Sequence, residues 1–109
     1  MNRQELVDFF EQNTAKMITI MKAKNADYTG IKEGDQSPFS NFERVEKLGI
    51  ATTEQGFLTR MTDKLCRINS LTKQTAQVSD ESIQDTLLDL ANYSLLFAAF
   101  LKSKKAGDL

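Results

Sequence analysis

A chain of 109 residues, 40% apolar and 27% charged, is long enough for one compact domain and too apolar to stay disordered. A net charge of −1 and a pI near 5.4 exclude a general nucleic-acid or membrane-surface binder, which carries a basic excess on one element. No histidine is present and Cys66 is the single cysteine, which removes Ser-His-Asp and Cys-His catalysis, an internal disulfide and most zinc chemistry. Carboxylates with a hard ion such as Mg²⁺ or Mn²⁺ are what remain.

The expected elements are all helical. Asn2 with Glu5 forms a capping pattern for a first helix over 2–24, whose core stripe is Leu6, Phe10, Met17 and Met21, widened by Phe9, Ile18 and Ile20. From Asn25 to Phe39 two glycines and the only proline break the period, and a loop this long in a small domain reads as a lid or binding segment. It brings Lys22, Lys24, Asn25, Asp27 and Tyr28, then Phe39 and Phe42, which are the stacking and amide or carboxylate groups that a base requires.

Ser40 and Glu43 form the capping box expected to open a short helix, which Gly49 ends; its Glu43 and Glu46 read as a solvated face. A second capping box, Thr52 and Gln55, opens a helix to about Lys73 with Phe57, Met61, Leu65 and Ile68 on its packed face, and Cys66 as core filling. Ser79 is the expected cap of the last helix, which runs to about Ser103 before fraying. No stretch alternates with period two, so the fold class is all-α: a bundle of three long helices and one short, with one long loop, as a single domain over 1–109. The last helix is apolar nearly all round, and the expected consequence is a homo-oligomer.

That last helix also carries the chemistry. At about 100° per residue, Glu81, Asp85, Asp89 and Asn92 share one sector, and farther on the same sector holds Leu96, Ala99 and Phe100. A sector that changes from acidic to apolar faces the interior, where unpaired carboxylates cost several kcal/mol each unless a cation meets them. Asp is a poor residue for a helix interior, which singles out Asp85 and Asp89. The preceding helix supplies Arg60, Lys64 and Arg67 beside its apolar face, with Asp63 one step round. If the two helices pack antiparallel, metal-binding carboxylates meet phosphate-binding cations; the plainer reading is an internal Asp63 to Arg67 pair.

Three segments, Lys24-Asn25-Ala26-Asp27-Tyr28, Asp63-Lys64-Leu65-Cys66-Arg67-Ile68 and Asp80-Glu81-Ser82-Ile83-Gln84-Asp85-Thr86-Leu87-Leu88-Asp89-Leu90-Ala91-Asn92-Tyr93, together resemble the nucleotide modification associated domain 1 family. That family is common in bacteriophages and is similar to the MazG-like all-α NTP pyrophosphatases. The resemblance covers roughly residues 15 to 100. It implies a Mg²⁺-dependent nucleotide-binding protein that hydrolyses nucleoside triphosphates to monophosphate and pyrophosphate, with Asp63, Glu81, Asp85 and Asp89 as metal-holding catalytic residues. Arg60, Lys64 and Arg67 would steady phosphates, and Lys24, Asn25, Asp27, Tyr28 and Asn92 would meet the rest of the nucleotide.

The metal helix of MazG-like enzymes faces a Glu-x-x-Glu on its partner, whereas Asp63 stands here among basic residues. A second reading therefore stays open: an oligomer that sequesters a nucleotide or a cyclic nucleotide immune signal without turnover. Neither reading involves direct nucleic-acid or membrane binding. Met1-Asn2-Arg3-Gln4-Glu5 opens no signal-type apolar run and no stretch reaches about 18 apolar residues, so the expected location is cytoplasmic, in the host cytoplasm for a phage protein.

Overall fold

The computed structural model describes residues 1–29, 37–74 and 76–107, with the side chains of all of these except 26–29, 76–81 and 106–107. Among them four helices follow one another: α1 (Arg3–Thr29), α2 (Ser40–Lys47), α3 (Thr53–Thr72) and α4 (Ala76–Gly107). No described residue is in a strand. No described helix is long and apolar enough to cross a membrane. The chain forms two compact units, Met1–Pro38 and Phe39–Leu109.

In the first unit, Asn2 caps α1 as expected: its Oδ1 accepts from the Glu5 backbone N–H at 2.9 Å. The helix runs to Thr29, so Asn25 to Thr29 are helical and not the start of a loop. Asn25 Nδ2 donates to the Pro38 carbonyl at 2.6 Å, which ties the end of α1 to the residues before α2. Residues 30–36, the middle of the expected loop, lie outside the described residues. The expected stripe is covered only in part: Met17 is buried, while Leu6 and Phe10 are exposed.

In the second unit, α2 ends in a Schellman turn. Gly49 takes φ 74°, and Ile50 N–H reaches back to the Val45 carbonyl at 2.9 Å while Gly49 N–H reaches Glu46 at 3.0 Å. Thr52 and Gln55 close the expected capping box at the start of α3. Helices α3 and α4 run antiparallel, since Glu54 meets Lys104, Phe57 meets Phe97, Lys64 meets Asp89 and Arg67 meets Thr86. The core at one end is aromatic. Phe57, fully buried, stacks on Phe42 with ring centroids 3.9 Å apart and on Phe97 at 4.8 Å. Tyr93 meets Phe42 edge-on at 5.9 Å, and Phe39 meets Phe100 at 5.6 Å.

Gly56 has a packing reason. A Cβ there would stand 3.1 Å from Val45 Cγ2 and 3.2 Å from the Phe42 carbonyl, so any side chain at this position forces α2 and α3 apart by a few tenths of an ångström. Gly56→Val is expected to destabilise the fold by about 1–3 kcal/mol, read from the urea midpoint. The cost of Gly56→Ala is smaller, because Ala recovers about 1 kcal/mol of helix propensity. An unchanged midpoint for Gly56→Val would mean that α2 does not lie against α3 here.

Several expectations are corrected. Cys66 and Leu65 are exposed, because the face of α3 turned to α4 carries Lys64, Ile68 and Leu71 instead. Ser79 is not the cap of α4, which begins three residues earlier at Ala76. Lys104 is not frayed: its ammonium lies 2.8 Å from Glu54 Oε2 and holds that carboxyl below its usual range.

The Ser40–Glu43 capping box does not form. Phe39 is the N-cap residue of α2 and no side chain caps it, which leaves Ser40 inside the first turn. Of the two glutamates read as a solvated face, Glu46 is exposed, with its Oε1 accepting from Thr53 N–H at 3.2 Å, whereas Glu43 is half-buried and its Oε1 is buried.

Candidate phosphate-binding crossing of α3 and α4

Three cations on α3 recur at helical spacing, Arg60, Lys64 and Arg67, spanning about 10 Å of helix. Each is held by a different group. The Arg60 guanidinium sits over the Phe42 ring, its Cζ 5.1 Å from the centroid, a cation–π contact. Lys64 Nζ lies 3.3 Å from Asp89 Oδ2. Arg67 Nε donates to Thr86 Oγ1 at 3.3 Å, and that hydroxyl donates in turn to the Ser82 carbonyl at 2.7 Å.

The burial of these groups sets what they can do. Lys64 and Asp89 are 27% and 23% exposed, so their pair is neither sealed in the core nor fully screened by water. An incoming anion can reach the ammonium, and an incoming cation can reach the carboxylate. Thr86 is buried at 4% exposure, and a β-branched hydroxyl there both packs and receives Arg67. The sequence pattern did not single out Thr86; its signal was a Thr standing between Asp85 and Asp89 on a stripe otherwise filled by Leu and Phe.

The acidic residues divide. Asp89 turns toward α3 and meets Lys64, with Asn92 half-buried one turn on. Asp85 and Asp63 are exposed. The alternative Asp63 to Arg67 pair is not found among the described residues, and Arg67 reaches across to α4 instead. Glu81, Asp27 and Tyr28 lie, as side chains, outside the described residues, and Lys24 is half-buried on α1.

Among the described residues no three His, Cys, Asp or Glu side chains come together as a metal cage. Mg²⁺ does not demand one: it is commonly held by one or two carboxylates with substrate phosphates and water completing the shell. Asp89, with Asp85 one turn before it, carries hard oxygen donors of that kind, and Lys64 and Arg67 stand on the facing helix. The donor chemistry fits, on the condition that Asp89 exchanges Lys64 for the ion.

Residues 54–100 match the family described as nucleotide modification associated domain 1. No curated protein and no solved structure matches the chain. The matched span holds the Lys64–Asp89 pair, the Arg67–Thr86 hydrogen bond and the Phe57–Phe97 stack, and it contains no part of α1 or α2. The family match therefore falls on the α3–α4 pair, which holds the Lys64–Asp89 contact.

Proposed function

We propose that the α3–α4 crossing binds a nucleotide together with Mg²⁺ and hydrolyses nucleoside triphosphates to monophosphate and pyrophosphate. The observation that carries the reading is the Lys64–Asp89 pair at 3.3 Å, part-exposed, inside the span that matches a nucleotide-modification-associated family. Lys64 and Arg67 take phosphate oxygens, a role that suits an ammonium point charge beside a planar fork of donors. Asp85, exposed one turn from Asp89, orients the attacking water and takes its proton. The water oxygen bonds to the α-phosphorus, the bond from that phosphorus to the bridging oxygen breaks, and pyrophosphate leaves. Asp85, Asp89 and Glu81 are the carboxylates that would hold Mg²⁺, and the ion would supply charge stabilisation on the phosphate oxygens.

A second reading, binding without turnover, is favoured by one feature. The ammonium of Lys64 already neutralises Asp89, and Asp63 is turned to solvent, so a full set of metal carboxylates is not assembled among the described residues of the two helices. In this reading the protein sequesters a nucleotide or a cyclic nucleotide signal. Both readings suit a homo-oligomer, since Leu58 and Leu65 on α3 and Leu87 and Leu95 on α4 are exposed.

One experiment separates the two. The protein is incubated with Mg²⁺ and a panel of nucleoside triphosphates and cyclic dinucleotides, and pyrophosphate release is followed beside thermal shift. Release that Asp85→Ala and Asp89→Ala each abolish is the expected result. Thermal shift with the ligand left intact establishes the second reading, and silence in both measurements overturns both.

A further inference from the structure

The first turn of α2 holds polar atoms that the fold does not use. Ser40 is 6% exposed and its Oγ meets no hydrogen-bond partner; Glu43 Oε1, one turn on, is buried and equally unpartnered. Asn41 between them is buried at 9% exposure. No side chain caps the helix. A buried carboxylate oxygen without a donor and a buried hydroxyl without a partner each cost free energy that a native fold normally avoids, unless a ligand completes them.

The position of this turn ties it to the α3–α4 crossing. Phe42, on the same turn, lies under the Arg60 guanidinium and meets the Tyr93 ring edge-on. Arg60 precedes Lys64 by four residues and Tyr93 follows Asp89 by four, so both stand about 6 Å along the antiparallel pair from the Lys64–Asp89 contact. The turn is therefore within reach of a ligand whose phosphates sit at Lys64.

The chemistry of the two atoms narrows the ligand. A carboxylate oxygen only accepts, so Glu43 calls for a donor; the hydroxyl of Ser40, at the positive end of α2, serves an acceptor. A donor and an acceptor side by side on a rigid plane describe the edge of a nucleobase. The part-exposed guanidinium of Arg60 adds a flat surface on which a ring stacks. We propose that the first turn of α2, through Glu43 and Ser40, reads the base edge of the nucleotide whose phosphates meet Lys64 and Arg67. The inference rests on the nucleotide-binding reading above and goes beyond it in assigning base selection to α2, outside the span that matches the family.

The test measures dissociation constants of the full chain with Mg²⁺ for the four ribonucleoside triphosphates and their deoxy counterparts, in wild type, Glu43→Gln and Ser40→Ala. Glu43→Gln keeps the shape of the side chain and converts one acceptor to a donor. It is expected to change the ratio between the best and worst base by about tenfold or more, and Ser40→Ala to weaken the preferred base about fivefold. Base ratios equal to wild type in both variants overturn the assignment while leaving nucleotide binding intact. A change confined to the ribose-to-deoxyribose ratio also overturns it, because the sugar and not the base then meets α2. Absence of binding of all eight nucleotides by the wild type overturns the nucleotide-binding reading itself.

Discussion

Phe57→Ala is expected to lower the unfolding free energy by about 3–5 kcal/mol, the largest single effect in the Phe39–Leu109 unit. Phe57 has no exposed surface and lies between Phe42 at 3.9 Å and Phe97 at 4.8 Å, with Phe100 at 5.6 Å. Truncation removes the transfer free energy of the ring and opens a cavity that three other rings line. Those rings sit on α2 and α4, so neither helix can collapse into the space without losing its other contacts. Domains of this size have a total stability of about 5–15 kcal/mol, and the loss would bring the variant close to unfolding at room temperature. Thermal unfolding by far-UV circular dichroism measures it. Leu65→Ala, on the exposed side of the same helix, is the comparison and should stay within about 0.5 kcal/mol of wild type. Equal losses for the two would mean that α3 does not present Phe57 inward.

Those two residues also show where the sequence was informative. The helices, their order and two of the caps could be read directly, because a cap needs only groups three residues apart: Asn2 with Glu5, and Thr52 with Gln55. The rotation of α3 could not. Phe57, Met61, Leu65 and Ile68 form an acceptable apolar stripe at a period of 3.6, yet α2 and the aromatic cluster turn the helix so that Lys64 and Leu71 face inward and Leu65 faces out. Apolar spacing sees only one helix, and the partner helix decides which edge of a broad stripe is used.

Ser40 and Glu43 failed for a different reason. Ser-x-x-Glu is a capping box only when the Ser is the N-cap residue, and α2 takes Phe39 in that place. The one-residue offset leaves two buried polar atoms unpaired, which made the failure more informative than success would have been. At the α3–α4 crossing the sequence pointed to Lys64 and Arg67, and both reach across to α4. It did not foresee that Asp89 would be met by Lys64 while Asp85 stayed in water, because Asp85 and Asp89 sit four residues apart on one helix and differ by only 40° around its axis.

The Lys64–Asp89 pair yields the second large expected effect, and its sign depends on metal. With the metal chelated, Lys64→Met should weaken triphosphate binding by about 10- to 100-fold, since a charge-assisted hydrogen bond to phosphate contributes about 1.5–3 kcal/mol. Under the same condition Asp89→Asn should strengthen binding: the ammonium is released from its partner at 3.3 Å, and the carboxylate no longer repels the phosphates. Adding Mg²⁺ should reverse the second result, because a variant without the Asp89 carboxylate loses a metal ligand. Dissociation constants for one triphosphate, measured for both variants with and without Mg²⁺, contain the whole test. An Asp89→Asn effect that Mg²⁺ does not alter would make Asp89 a structural partner of Lys64 and nothing more, and a wild-type affinity for Lys64→Met would remove the phosphates from this crossing. The reversal discriminates because a lost ion pair lowers stability in the same direction whether or not Mg²⁺ is present, so a packing defect cannot imitate a change of sign.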